Sequence, residues 1–161
     1  ARIRTGKLDA NAASPHGRFP FFTCAVESLR IDDAAFDTKA ILVAGNGDLN
    51  VKYYEGKFNA YQRTYVIESL DEHVALPIFL YGFLDLYVGR LREQAIGGVI
   101  KYIKLGHLTE ALVSLPSADA QADYEKQMQA LDTTKQKYQV LLDQAANLFA
   151  SLQQRAFRGD L

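Results

Sequence analysis

Residues 117–157 contain neither glycine nor proline, and their apolar positions recur at alternating spacings of four and three. Tyr124, Met128, Leu131, Lys135, Tyr138, Leu142, Ala145, Phe149, Leu152 and Ala156 fall on this pattern, a heptad stripe whose one charged member is Lys135. Ser117 is placed to cap the start and Gly159 the end. At 1.5 Å per residue a helix of this span is about 60 Å long, more than a small domain can cover. The stripe predicts a rod that pairs with another long helix, in a second copy or a second half of the molecule. Tyr124, Met128, Leu131, Tyr138, Leu142, Ala145, Phe149 and Leu152 form the expected seam.

Ahead of Pro116 the signals change. Phe19–Cys24, Ala40–Ala44, Val51–Glu55 and Arg63–Glu68 are short runs rich in Val, Ile, Phe, Tyr and Thr and bounded by Gly, Asn or Asp, which is a strand signature. Gly45-Asn46-Gly47-Asp48 tolerates positive φ and predicts a hairpin turn. Leu76–Arg92 places Phe79, Leu80, Phe83, Leu84, Tyr87, Val88 and Leu91 at helical spacing, with Pro77 near the start and Asp71 and Glu72 just ahead. Gly97-Gly98 ends that helix, and Val99–Ile103 reads as a further strand. The expected fold is α+β: residues 1–116 form a globular head with a twisted, mainly antiparallel sheet and packed helices. Residues 117–161 add one long helix that forms a coiled coil.

No constellation in the chain carries catalysis. His16, His73 and His107 are scattered, and with the single Cys24 they cannot form a metal site of ordinary spacing. Gly45 to Lys52 lacks the Gly-Lys-Ser/Thr ending of a phosphate loop. No catalytic residue, metal or cofactor is expected. Cys24 has no internal disulfide partner, no apolar run reaches a membrane span, and no leader is visible, so a cytoplasmic protein without membrane contact is expected. Because residue 1 is not Met, a processed or excised piece of a longer protein is also expected. Net charge is −1, and the first 116 residues hold 13 basic and 13 acidic side chains. That balance lacks the excess of many nucleic-acid binders, so DNA binding requires a local patch.

One segment offers such a patch. Val51–Tyr65, VKYYEGKFNAYQRTY, interleaves three basic residues with tyrosines, Asn59 and Gln62 against the single Glu55. Arg and Asn side chains match base edges with paired hydrogen bonds, whereas Lys and Tyr reach phosphates. With the N-terminal loop and the hairpin turn, the candidate DNA contacts are Lys7, Arg18, Asn46, Lys52, Tyr54, Lys57, Asn59, Tyr61 and Arg63. Arg63 is suited to guanine, Asn59 to adenine, and Lys52 and Lys57 to phosphates. A competing reading makes half of the tyrosines core and the charges a solvated face. On that reading the chain is a coiled-coil dimer whose head binds a protein or a small ligand.

The order of segments resembles one half of the specificity subunit of Type I restriction–modification systems. The resemblance runs through Thr5-Gly6-Lys7-Leu8-Asp9, Phe19–Cys24, Ala40–Gly47 and Gly56–Tyr65. It continues through Gly97–Ile103, the Leu112-Val113-Ser114-Leu115-Pro116 exit and the helix ending Ser151–Leu161. It implies a target recognition domain followed by a long conserved helix that pairs antiparallel with another as a spacer. It further implies a non-catalytic subunit that reads double-stranded DNA. A partner methyltransferase (modification) subunit and, through the complex, a motor-nuclease (restriction) subunit are then directed to a bipartite site. The outward Gln121, Lys126, Gln136 and Gln144 would face the methyltransferase subunit.

Overall fold

The run Ala40–Ala44 has no polar member, so a strand built from it must be covered on both faces. In the computed structural model, which describes residues 1–159, it lies inside a six-stranded sheet. The strands are β1 (Arg2–Thr5), β2 (Phe19–Phe22), β3 (Leu29–Ile31), β4 (Phe36–Ala44), β5 (Val51–Ala60) and β6 (Thr64–Glu68), in the order β1-β6-β4-β5-β2-β3. All neighbours are antiparallel except β2 and β5, which pair in parallel. The α+β class with a mainly antiparallel sheet is as the sequence predicts.

The register forces the sheet to curl. Phe36 of β4 faces Phe58 on one side, and Ala44 faces Thr64 on the other. Laid flat, Phe36 to Ala44 would span about 26 Å at 3.3 Å per residue. The chain from Phe58 to Thr64 can reach only about 20 Å. The β4–β5 pair, whose register is unbroken from Phe36–Phe58 to Val43–Val51, must therefore curl as one ribbon, and Gly56 at φ 122° lies within it. Beyond β1 the chain joins the same curl, with Gly6 N–H donating to Thr64 O and Gln62 N–H to Leu8 O. A Cβ on Gly6 would stand 1.8 Å from Ala60 O, so this seam closes only on a glycine.

Curling gives two apolar layers. Inside it, Phe22, Ala40, Leu42, Phe58, Ala60 and Val66 pack together. On the other face Ile41, Val43, Leu49 and Ile67 meet Leu80, Leu84 and Leu91 of α1 (Pro77–Gln94). Pro77 occupies the start of α1 as expected, but Asp71 does not cap it; its carboxylate accepts from His73 N–H in the preceding turn.

Val99–Ile103 is not a strand, contrary to the sequence expectation. Tyr102 makes single bridges to Asn46 and Ile96, and Val99 and Ile100 are exposed. The apolar run lacks a facing strand, because Gly97 at φ 112° turns the chain back on itself first. Two short strands, β1 and β3, and the helix α2 (Leu105–Thr109) carry too little pattern to be predicted.

The long helix, α3 (Ala118–Arg158), is continuous, with Ser117 Oγ accepting from Ala120 N–H at 3.3 Å and Gly159 at φ 76° ending it. Asp160 and Leu161, which close the expected helix-ending motif, lie outside the described residues. The chain divides into two units, Ala1–Gln121 and Ala122–Leu161. In the second, Leu131, Tyr138, Leu142, Phe149 and Leu152 are exposed. In the first, Gln121 is not outward-facing as expected but 2% exposed. Its Oε1 accepts from Leu76 N–H at 2.9 Å, and its Nε2 donates to Val74 O and Pro116 O, both at 3.0 Å.

Gln121→Ala strands one amide donor and two carbonyls in a buried setting. A loss of about 1–3 kcal/mol is expected from the unsatisfied groups, read as a lower urea midpoint for unfolding of the head. An unchanged midpoint would mean that water replaces the amide.

Candidate nucleic-acid interface

The curl delivers five chain segments to one end of the sheet, and backbone and side-chain hydrogen bonds tie them together. Gly45 N–H donates to Arg63 O at 2.8 Å, joining the β4–β5 hairpin turn to the β5–β6 turn. A Cβ at Gly45 would lie 2.3 Å from that oxygen, so the approach requires glycine. Gly47 N–H donates to Lys101 O at 2.8 Å, and Ile103 N–H to Gly45 O at 2.9 Å, which attaches the loop after α1. The Asn50 side-chain amide donates to Cys24 O at 2.8 Å, and Gln62 Nε2 to Asp9 Oδ2 at 3.2 Å, which adds the loops after β2 and β1.

Side chains from three of these segments, Asn46, Arg63, Ile100 and Tyr102, line a hollow of about 530 Å³. Two carboxylates at this end have local partners. Asp9 accepts from Ala10 N–H and from Gln62, and Asp48 pairs with Arg92 at 3.3 Å. Lys7, Arg63 and Lys101 are exposed, and among the described residues their side chains have no ion pair or hydrogen bond. A chain of net charge −1 thus presents unneutralised cations around an amide and an aromatic ring.

Of the nine candidates, Asn46 and Arg63 meet in the hollow, and Lys7 precedes Leu8, which bridges to Tyr61. The others are dispersed by strand alternation. Lys52 and Tyr54 face Leu42 and Ala40 on the inner side, whereas Lys57 faces Asp37 on the outer side. Tyr54 packs on Phe22 and Phe58 at ring distances of 5.2 and 5.8 Å, as a core residue does. Lys52 is half-buried and donates to Asn50 Oδ1. Tyr61 is half-buried. Arg18 lies over the Phe19 ring and donates to Asp32 O at 3.1 Å, and Lys57 borders a separate hollow with Phe19 and Phe36.

Asn59, expected to suit adenine, is turned away from solvent. It is 5% exposed, its Nδ2 donates to Asp33 O and its Oδ1 accepts from Ala60 N–H, both at 2.9 Å, so the amide serves the backbone of the head. Sequence reading missed Ile100, Lys101 and Tyr102. The signal was the Gly97-Gly98 pair followed by apolar residues and a lysine, which also describes a turn with an exposed tip. Among the described residues no cluster of His, Cys, Asp and Glu is placed to hold a metal, and no helix is long and apolar enough to cross a membrane.

Burial holds Lys52 below the ordinary lysine range, since desolvation disfavours its charge. The unfolded chain therefore keeps this proton through a pH window in which the folded chain has lost it, and stability rises as pH climbs through that window towards 10.5. Thermal melts of wild type and Lys52→Met should shift in favour of wild type between neutral pH and pH 10.5. A difference in Tm that stays constant with pH would place the ammonium in water.

Comparison with known proteins identifies the family. Residues 2–142 match the family described as Type I restriction modification DNA specificity domain. The specificity subunit of the Type I restriction enzyme EcoDI from Escherichia coli is 40% identical over 153 residues, covering 95% of this chain and 34% of the relative. The chain thus spans about a third of that relative's length. The crystal structure of the S subunit of a Type-I restriction-modification system from M. genitalium shares the fold, with a TM-score of 0.63 and 19% identity over 82% of this chain and 38% of that one. The chain therefore belongs to the family of Type I restriction–modification DNA specificity domains.

Proposed function

We propose that this chain reads one half of a bipartite DNA site as a non-catalytic specificity component. It directs a DNA methyltransferase subunit and, through the assembled complex, a motor-nuclease subunit to that site in the cytoplasm. The observation that carries the reading is Arg63 in the Asn46 hollow, with Lys101 between two of its lining residues in the chain and both cations exposed without an ion pair among the described residues, in a chain of this family. Arg63 is suited to paired hydrogen bonds with guanine and Asn46 to adenine, while Lys7 and Lys101 hold phosphates. Arg18 and Lys57 supply a weaker second patch beside Phe19.

The exposed stripe of α3 supports pairing with a second long helix. Leu142 is 63% and Phe149 64% exposed in the single chain, and burying each such side chain is worth roughly 1.5–3 kcal/mol. Lys126, Gln136 and Gln144 then point away from the seam, towards the methyltransferase subunit.

Binding by the chain assembled with its methyltransferase subunit should weaken steeply with salt. Lys101→Ala should lower the slope of log K against log salt by about one. Arg63→Ala should cost about 1–3 kcal/mol and relax sequence preference. If neither variant changes binding, the DNA face lies elsewhere. For the helix, sedimentation at micromolar concentration should show a dimer that Leu142→Asp shifts towards monomer; an unchanged mass would refute the seam.

A further inference from the structure

The loop from Gly97 to Lys101 is built as a rigid finger. Ile96 and Tyr102 close its base with reciprocal backbone hydrogen bonds of 2.9 and 2.8 Å. Gly47 N–H holds its side through Lys101 O. Gly97, at φ 112°, would carry a Cβ 2.4 Å from Ile100 O, so the finger's shape depends on that glycine. At the tip stand Val99, 102% exposed, and Ile100, 62% exposed. Two β-branched apolar side chains on a braced tip contribute nothing to the core.

Their surroundings indicate what they meet. Ile100 shares its hollow with Arg63, and Lys101 follows it in the chain, so the apolar tip is flanked by unneutralised cations. An apolar protein surface would leave those charges unpaired. A major groove matches both features, since phosphates line its rims and the thymine 5-methyl group is an apolar contact on its floor. Val99 is short and branched, unlike the Phe, Leu, Ile, Met and Pro side chains that wedge between base steps.

We infer that Val99, supported by Ile100, reads a thymine 5-methyl group in the major groove while Lys101 and Arg63 hold the flanking DNA. This rests on the loop end being the DNA face. It adds a specificity determinant that makes no hydrogen bond.

The test uses the chain in complex with its methyltransferase subunit, on the target defined by sequencing methylated adenines. Each thymine of the half-site is replaced in turn by deoxyuridine, which removes only the methyl group. One replacement should weaken binding about fourfold, the worth of a single buried methyl group. In Val99→Ser that one loss should vanish while losses at other positions persist. The urea midpoint should stay unchanged, because the Val99 side chain is fully exposed. An identical uracil pattern in Val99→Ser and wild type, or no uracil-sensitive thymine, overturns the inference. If Arg63→Ala and Lys101→Ala still weaken binding in that case, the DNA face stands without the finger. If they do not, the face itself is wrong.

Discussion

Pairing β4 with β5 along one edge and β6 along the other leaves residues 61–63 to cross between them. So short a connection is incompatible with a flat sheet, and the resulting curl organises the rest of the head. It buries Phe58 and Phe22 inside, where their rings meet edge to face at 5.5 Å, and leaves the opposite face for α1. It also swings the β5–β6 turn under the β4–β5 hairpin. Gly45 and Gly6, which admit backbone within contact distance, are the points where the curl is closed.

The same arrangement reconciles a neutral chain with an anionic partner. Charge balance over the whole sequence says little about one end of the sheet. There two carboxylates are occupied by local partners: Asp9 by a backbone N–H and an amide, Asp48 by Arg92. A surface of this kind gains affinity from position rather than from number of charges, which fits a member of the DNA specificity domain family.

Local periodicity made much of the fold legible. The strands β2, β4, β5 and β6, the helix α1 and the whole of α3 follow from alternation, heptads, Ser117 and Gly159. The curl was not legible, since it arises from register between residues far apart in sequence. The site suffered accordingly. VKYYEGKFNAYQRTY looks like one basic–aromatic patch, yet alternation sends Lys52 and Tyr54 inward, Lys57 outward and Asn59 into a backbone pocket. Arg63 and Asn46 sit on turns, outside that alternation, and are brought together. Val99–Ile103 has strand composition without a strand partner, and Gln121 lies on the heptad phase yet serves the head.

At the loop end the hairpin, the β5–β6 turn and the loop after α1 are held to one another by main-chain atoms, whereas Arg63, Lys101 and Val99 are side chains that these bonds do not use. Gly45, Gly47, Arg63, Lys101 and Ile103 are joined through N–H and C=O groups that any non-proline residue possesses. Arg63, Lys101 and Val99 can therefore be exchanged with little thermodynamic consequence for the head, while the glycines cannot. Such a division favours rapid divergence. On the proposed DNA-reading role of the tips, a lineage would change its recognition sequence by single substitutions there, with no compensating change in the core.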